Sequence, residues 1–185
     1  MIRAYVITEG KTDIAILKTL LSPSSLVDVE FVGGSGSYAA QSLARTILSV
    51  RGRPVALVID ADTMDEQTIQ EKRTFLYQIL HPAQASVTFE VFTAVPEIEI
   101  VFCYDKSIFD RIIGSVSLEA DWKLAQTQPR KYLREHIPGY EPLALTILAK
   151  LSEQEIEKLR KHPLIRQLDE FLKQATADTV QLEMA

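Results

Sequence analysis

The chain has 185 residues, and its 46% hydrophobic, 24% charged and 8% aromatic content excludes a disordered or fibrous protein and suits one globular domain. The formal net charge of −5 excludes a generally basic nucleic-acid coat, because phosphate contacts are usually made by clustered lysines and arginines. The single cysteine, Cys103, excludes an intrachain disulfide and a cysteine-rich zinc site.

The start of the chain bears on its location in the cell. Met1 leads directly into a short apolar run that ends at Glu9, without the longer apolar segment and small-residue cleavage site of a signal peptide. No apolar stretch of the sequence is long enough to span a membrane. With one cysteine as well, these features predict a cytoplasmic protein that makes no membrane contact.

Strand and helix patterns alternate through the first half of the chain. Short β-branched runs predict strands, and apolar residues at helical spacing predict the helices that follow them. The run at 55–59 is continuously apolar, as a central strand covered on both faces should be. Thr63 and Glu66 have the spacing of a capping box at the start of the third helix. Strands are predicted at 4–8, 26–32, 55–59 and 87–93, with helices after the first three.

The fourth strand pattern, 87–93, alternates more than the others and is predicted to lie nearer an edge, with Pro96 as the first residue of the next helix. Strands that alternate with helices imply right-handed crossovers. We therefore expect an α/β fold: a Rossmann-like, four-stranded, mainly parallel sheet flanked by helices. The ligand crevice of such a sheet lies at the carboxyl ends of its strands.

Beyond Tyr104 every apolar pattern is helical. We expect an α/β domain over residues 1–105 and a helical C-terminal extension over 106–185 that packs on it. Ser152 and Glu155 have the spacing of a second capping box within this extension.

Acidic residues follow two of the predicted strands. Glu9 comes after the first, and Asp60 and Asp62 come after the third, where side chains two apart on an extended segment share a face. Mg²⁺ prefers carboxylate oxygens and keeps several waters, so two or three convergent carboxylates can hold it against a phosphate. The pattern predicts a Mg²⁺ site, with Mn²⁺ as a possible substitute. For each residue alone, a helix-capping role is the alternative.

A family resemblance rests on these residues. Residues 6–17 read Val-Ile-Thr-Glu-Gly-Lys-Thr-Asp-Ile-Ala-Ile-Leu, and residues 56–62 read Ala-Leu-Val-Ile-Asp-Ala-Asp. In their order and placement they resemble the Toprim domain, and most closely the small standalone and OLD-like Toprim nucleases. The resemblance implies a Toprim-like fold over residues 3–105. It also implies that Glu9, Asp60 and Asp62 bind Mg²⁺ and that Glu9 serves as a general acid or base.

A second segment extends the resemblance. Residues 96–105 begin Pro-Glu-Ile-Glu, which resembles the Pro-x-Ile-Glu segment of small Toprim-like proteins, and this makes Glu99 a fourth metal-ligand candidate. Glu97 and Asp105 are weaker candidates. Lys11, beside the acidic rim, is a candidate for contact with the scissile phosphate, although a lone loop lysine is more often only solvated.

Two other patterns have alternative interpretations. Residues 34–39 match the dinucleotide fingerprint G-x-G-x-x-A, but the match follows the second strand instead of the first, which favours a tight turn. Arg130, Lys131 and Arg134 suit either a basic patch for nucleic acid or a solvated helix face.

These observations lead to two functional hypotheses. The first is a Mg²⁺-dependent nuclease, or a related phosphodiester phosphoryl-transfer enzyme, that acts on DNA or RNA. The second is a non-catalytic, Toprim-like interaction subunit of a larger nucleic-acid-processing or defence complex, with a partner protein such as an ATPase. A homodimer is compatible with either.

Overall fold

The computed structural model describes residues 1–84, 87–137 and 143–184, and its first half forms the predicted α/β unit. A 3₁₀ turn at Pro23–Leu26 precedes the second strand, and a π-helical segment, Ile47–Arg51, ends the second helix. The elements are β1 (Ala4–Thr8), α1 (Lys11–Leu20), β2 (Val29–Gly33), α2 (Ser37–Thr46), β3 (Val55–Asp60), α3 (Glu66–Leu80) and β4 (Phe89–Ala94).

All four strands are parallel, in the order β2-β1-β3-β4. The fold is therefore the expected α/β arrangement, a parallel, Rossmann-like sheet flanked by helices. Every residue of β1 and β3 is buried, which explains their uninterrupted apolar sequences. β4 lies at one edge of the sheet, as its alternating pattern predicted.

The second half is helical among the described residues. A 3₁₀ helix, Ile98–Cys103, follows β4, and a capping box of Ser152 and Glu155 opens α8 as the sequence predicted. The remaining helices are α4 (Lys106–Ile113), α5 (Glu119–Thr127), α6 (Pro129–His136), α7 (Leu143–Leu148), α8 (Glu153–Leu159) and α9 (Pro163–Met184).

Each face of the sheet has its own hydrophobic core. On one face, Val6 and Val58 pack with α1 and with residues of the C-terminal helices such as Leu133 and Leu168. On the other face, Ile7 and the β3 side chains that point to that face pack with α2 and α3. The first core spans residues from both predicted domains, and the division near residue 105 stays a prediction. No helix in the described part of the chain combines the length and apolar character needed to cross a bilayer.

Two predicted helix starts were wrong by a few residues. Asp65, not Thr63, caps α3, because its carboxylate accepts a hydrogen bond from the Thr68 N–H at 2.8 Å, which is the usual role of an N-cap aspartate. Pro96 is not the first residue of a helix, since the 3₁₀ helix begins only at Ile98. The extra extended residues after β4 carry Glu97 beside the carboxyl end of β3.

Candidate metal centre

Three carboxylates converge at the carboxyl ends of β3 and β4. Asp60 is the last residue of β3 and pairs in register with Ala94, the last residue of β4. The segment after β4 therefore turns back beside Asp60 and brings Glu97 and Glu99 with it. One oxygen atom from each carboxylate lies within 4.8 Å of the other two. We refer to Asp60, Glu97 and Glu99 as the acidic triad.

Burial makes the acidic triad electrostatically costly. Asp60 is 7% exposed and Glu99 is 3% exposed. Burial raises the pKa of Asp60 to about 7, the carboxylates of Glu99 and Asp13 add to the rise, and Arg130 opposes it. Burial also raises the pKa of Glu97, with Arg130 again opposing. The triad therefore favours any cation that can reach its oxygen atoms.

The guanidinium of Arg130 is the cation that the structure places there. Its Nε donates to Glu99 Oε1 at 2.8 Å, and its Nη2 donates to Asp60 Oδ2 at 2.8 Å and to Glu99 Oε2 at 3.1 Å. Its Nη1 lies 3.4 Å from Glu97 Oε2. Although burial opposes its charge, hydrogen bonds with Glu99 and Asp60 raise the pKa of Arg130. One positive charge is thus shared among three carboxylates.

The start of α6 explains why Arg130 reaches the triad. Pro129 is the first residue of α6, a position that suits proline because it lacks an N–H. The backbone N–H of Arg130, which has no partner within the helix, donates to Glu97 Oε1 at 2.8 Å. A carboxylate is also favoured at the positive end of a helix. Glu97 therefore anchors α6 through the backbone and places the Arg130 side chain over the triad.

The residues after β1 lie beside this site. Glu9 Oε1 accepts a hydrogen bond from the Asp60 N–H at 3.2 Å, which ties the two strand ends together. Asp13 is buried and accepts from the Gly10 N–H at 2.9 Å. Lys11 is exposed at the first position of α1. Glu9 thus lies next to Asp60, but its carboxylate is not one of the three that form the triad.

Asp62 does not project with Asp60, and this prediction was wrong. The extended backbone ends at Asp62, whose φ of 60° places it in the left-handed region. Its side chain is 70% exposed and lies 3.0 Å from Lys72 Nζ, which also donates to the Asp60 carbonyl oxygen at 2.7 Å. The turn therefore directs Asp62 toward α3, and a role for it as a metal ligand stays a prediction.

The donor chemistry of the triad fits a hard divalent cation. All of its donors are carboxylate oxygens, and each oxygen retains a lone pair beyond the hydrogen bond that it accepts. Asp60 Oδ1 is held in place by the Ile98 N–H at 2.8 Å, so the carboxylate is fixed by the backbone. A bound cation and the guanidinium of Arg130 would draw on the same oxygens, so the two compete.

The sequence pattern made Glu97 only a weak metal-ligand candidate and did not connect Arg130 with the site. Glu97 belongs to the Pro-x-Ile-Glu segment that pointed to Glu99, and that segment was the available signal. Arg130 lies 70 positions after Asp60, in a helix whose pattern suited a basic patch, and nothing local in the sequence links the two. The other weak candidate, Asp105, caps α4 by accepting from the Ile108 N–H at 3.1 Å.

The glycine-rich loop at 33–36 is a tight turn against the end of β1. The N–H groups of Gly34 and Gly36 donate to the carbonyl oxygens of Thr8 and Glu9 at 2.8 and 3.0 Å. A Cβ on Gly34 would lie 2.7 Å from the Ala40 nitrogen, so this position needs glycine for lack of space. The close packing explains the spacing of the glycines without a bound dinucleotide.

Comparisons with protein-family models, curated proteins and solved structures found no match. What defines this protein is therefore its fold and its site: a parallel α/β protein with an acidic triad whose oxygen atoms have the spacing of metal ligands.

Proposed function

We propose that the chain is a Mg²⁺-dependent nuclease, or a related enzyme of phosphodiester phosphoryl transfer, that acts on DNA or RNA. The observation that carries the proposal is the acidic triad, whose carboxylate oxygens lie within 4.8 Å of one another at the ligand-binding edge of a parallel sheet. The resemblance of residues 6–17 and 56–62 to Toprim nucleases supports it, since Glu9 and Asp60 lie side by side at this edge.

Each residue near the triad has a task in this proposal. Asp60, Glu97 and Glu99 would hold the metal ion, with Mn²⁺ as a substitute for Mg²⁺. In that position the ion would supply stabilisation of charge on the phosphate and activation of water. Glu9, held against the Asp60 backbone, accepts or donates the proton of the attacking water.

The two cations at the edge of the site have separate tasks. Lys11 is exposed at the start of α1 and attracts a phosphate from solvent. Arg130 shifts from carboxylates to phosphate oxygens when metal and substrate bind, since a guanidinium pairs with either group in the same forked geometry. The acidic triad would keep a counterion when Arg130 moves, because a bound metal ion would supply the charge that Arg130 withdraws.

A second candidate function is supported by the contacts of Arg130. Its guanidinium already contacts all three carboxylates, as a permanent structural counterion would. In this form the chain is a non-catalytic, Toprim-like subunit that acts through a partner protein such as an ATPase, or as a homodimer, in a nucleic-acid-processing or defence complex. The acidic net charge of the chain favours it over a free-standing nuclease.

Cleavage assays test the first proposal. Purified protein is incubated with single- and double-stranded DNA and RNA in Mg²⁺ or Mn²⁺, and we expect cleavage that EDTA abolishes. Glu99→Gln and Asp60→Asn should each lower the rate by about 100-fold or more, because each removes a charged ligand. Glu119→Gln, an exposed site on α5, is the matched control. Full activity in both triad variants would contradict the proposal.

Metal titration separates the two functions. For the enzyme, calorimetric titration with Mn²⁺ should show binding that Glu99→Gln weakens, together with cleavage. For the subunit, cleavage should be absent in every metal and with every substrate. A chain that neither binds Mn²⁺ nor cleaves nucleic acid would leave the acidic triad as a structural ion cluster around Arg130.

A further inference from the structure

Each of the six oxygen atoms of the acidic triad has a hydrogen-bond or ion-pair partner. Backbone N–H groups hold two of them, since Ile98 donates to Asp60 Oδ1 and Arg130 donates to Glu97 Oε1, both at 2.8 Å. The guanidinium of Arg130 contacts the other four, which are Asp60 Oδ2, Glu97 Oε2 and both oxygens of Glu99. A cation that coordinates all three carboxylates must therefore share a Glu99 oxygen with this guanidinium.

A metal ion and the guanidinium cannot both stay in contact with Glu99. Mg²⁺ binds carboxylate oxygens at about 2.0–2.1 Å. The Nε and Nη2 atoms of Arg130 lie 2.8 and 3.1 Å from the two Glu99 oxygens. An ion on either oxygen would lie about 5 Å or less from the guanidinium, where like charges repel each other strongly in a partly buried site. Arg130 must therefore leave the triad before a metal ion can bind there.

Only the side chain of Arg130 can make this movement, because the backbone of α6 is anchored. Pro129, Tyr132 and Leu133 of this helix are buried, and Tyr132 and Leu133 belong to the core that includes the sheet. The Arg130 N–H is tied to Glu97 as well. The Arg130 side chain, in contrast, is 37% exposed. Rotation about its side-chain bonds is therefore enough to carry the guanidinium from the carboxylates toward solvent.

The cost of this movement depends on what the guanidinium finds outside the triad. It gives up three charge-assisted hydrogen bonds, two to Glu99 and one to Asp60. Water replaces them only with weaker, neutral partners. A phosphodiester offers two anionic oxygens that a guanidinium pairs with in the same forked geometry as a carboxylate. A phosphodiester beside the triad therefore lowers the cost of releasing the carboxylates.

We propose that Arg130 couples metal binding to phosphodiester binding, so that each ligand binds weakly alone and each strengthens the binding of the other. The inference rests on the proposed function, because it takes the triad as the metal site and nucleic acid as the substrate. Arg130 competes with the metal ion while the phosphodiester is absent, and it pairs with the phosphodiester when both are bound. Such coupling is reciprocal and typically changes each affinity by about 5- to 150-fold. The chain would therefore bind its metal ion chiefly when substrate is present.

Titration of the full-length protein with Mn²⁺ alone tests the competition. Electron paramagnetic resonance of free Mn²⁺ gives the affinity directly. Arg130→Gln should bind Mn²⁺ at least 10-fold more tightly than the wild type, because glutamine carries no charge that competes for the carboxylates. Lys131→Gln, which removes a charge from the exposed neighbouring position, is the matched control and should bind as the wild type does. Equal Mn²⁺ affinity in Arg130→Gln and the wild type would overturn the proposal.

A labelled octathymidylate with phosphorothioate linkages, which resist cleavage, measures the coupling. Fluorescence anisotropy gives its affinity for the wild type and for Arg130→Gln, with and without Mn²⁺. The gain in affinity on addition of Mn²⁺ should be at least 10-fold larger in the wild type, because only the wild type has a guanidinium to transfer to the phosphate. The same oligomer with uncharged methylphosphonate linkages should show no such difference. Equal gains in the two proteins would also exclude the coupling.

A nuclear magnetic resonance measurement on the wild type does not depend on the folding of a variant. The Nε–H signal of Arg130 should keep its position in Mg²⁺ alone, because the guanidinium stays on Glu99. It should shift when Mg²⁺ and the octathymidylate are added together. Arg130→Lys, which keeps the charge and lacks this N–H, assigns the signal. An unshifted signal with both ligands bound would show that Arg130 does not move and would overturn the proposal.

These measurements are separate from the cleavage assays. Coupling without cleavage in any metal would support the inference about Arg130 and contradict the nuclease. Cleavage that Asp60→Asn abolishes, together with equal Mn²⁺ affinity in Arg130→Gln and the wild type, would support the nuclease and exclude the coupling.

Discussion

Two aspartates, the buried Asp60 and the half-buried Asp169, illustrate how different environments give one side chain opposite properties. Burial raises the pKa of Asp60 to about 7, and its carboxylate neighbours add to the rise. Burial also raises the pKa of Asp169, but hydrogen bonds from Lys173, Ser25 and Ser22 outweigh it and lower the pKa to about 2. Asp60 is the more deeply buried of the two, and the hydrogen bonds that it accepts do not outweigh burial as those of Asp169 do.

Within the described part of the chain, the donors of Asp169 pair with no other carboxylate. Its carboxylate accepts from the Ser22 N–H at 2.9 Å and the Ser25 hydroxyl at 2.6 Å, and it lies 2.6 Å from Lys173 Nζ. Asp60, by contrast, shares one guanidinium with two glutamates. A carboxylate with its own donors stabilises the fold. Several carboxylates that share one cation keep a net negative charge, which can bind a cationic ligand.

The largest expected effect comes from removal of the shared cation. Arg130→Ala leaves two buried carboxylates and the half-buried Glu97 without this counterion and should lower the free energy of unfolding by about 3 kcal/mol, the low end for a broken buried ion pair because the arginine side chain is 37% exposed. Mn²⁺ should then raise the melting temperature of this variant more than that of the wild type. Differential scanning calorimetry with and without Mn²⁺ measures both effects.

Lys131→Ala is the control for this experiment, since Lys131 is the exposed neighbour of Arg130 in the same helix. It should melt as the wild type does in either condition. If Arg130→Ala is as stable as the wild type without metal, Arg130 does not neutralise the triad as the distances indicate.

The second effect tests Asp169, the aspartate that has its own hydrogen-bond donors. Asp169→Ala removes the carboxylate that accepts from the Ser22 N–H and from the fully buried Ser25 hydroxyl, which keeps the Ser22 hydroxyl as a partner at 2.8 Å, and should cost about 2 kcal/mol, with no response to Mn²⁺. Because the pKa of Asp169 is lowered in the folded state, the wild type should lose about 2 kcal/mol as the pH falls from about 4 to about 2.

Urea unfolding at several pH values measures this dependence. The variant should show a smaller loss over the same acid range, because it has no carboxylate to protonate. An unchanged acid profile in Asp169→Ala would show that other carboxylates account for the loss.

The third effect concerns His162, a half-buried base whose ring accepts one hydrogen bond. Burial lowers the pKa of His162 from 6.5 to about 4, and its Nδ1 accepts from the Leu164 N–H at 3.2 Å. The unfolded chain therefore binds an additional proton below pH 6.5, and the wild type should lose about 2 kcal/mol as the pH falls to 4, with none of this loss above pH 6.5.

His162→Asn should remove that dependence and still cap α9, because asparagine accepts from the same N–H without titrating. Urea unfolding between pH 7 and 4 is the measurement, and His81→Gln, at an exposed position, is the control. A loss of stability in His162→Asn equal to that of the wild type over this range would assign the dependence to other groups.

The smallest effect is expected at Asp62. Asp62→Asn keeps a side chain that tolerates the left-handed backbone and removes only an exposed ion pair with Lys72, so the free energy of unfolding should change by less than about 0.5 kcal/mol. Mn²⁺ affinity, measured by calorimetric titration, should fall far less than in Asp60→Asn. An equal fall in Mn²⁺ affinity in the two variants would support Asp62 as a metal ligand.

Much of the fold could be read from local patterns. The continuous apolar run at 55–59 identified a central strand, and the alternation at 87–93 identified an edge strand, because burial on two faces or on one leaves a direct mark on residue choice. The Ser152 and Glu155 capping box was equally local. Backbone turns were harder to predict, because the left-handed residue Asp62 has no neighbouring glycine that would indicate a turn.

The sequence by itself determined that acidic side chains would follow the strands of a parallel sheet. The pattern of a strand and the position of its end both depend on consecutive residues. Only the tertiary structure decided which carboxylates meet and what cation faces them. Asp60, Glu99 and Arg130 come from three separate parts of the chain, and their convergence depends on packing of the C-terminal helices against the sheet. Packing between distant segments is set by shape and contact across the whole molecule, and no local pattern encodes it.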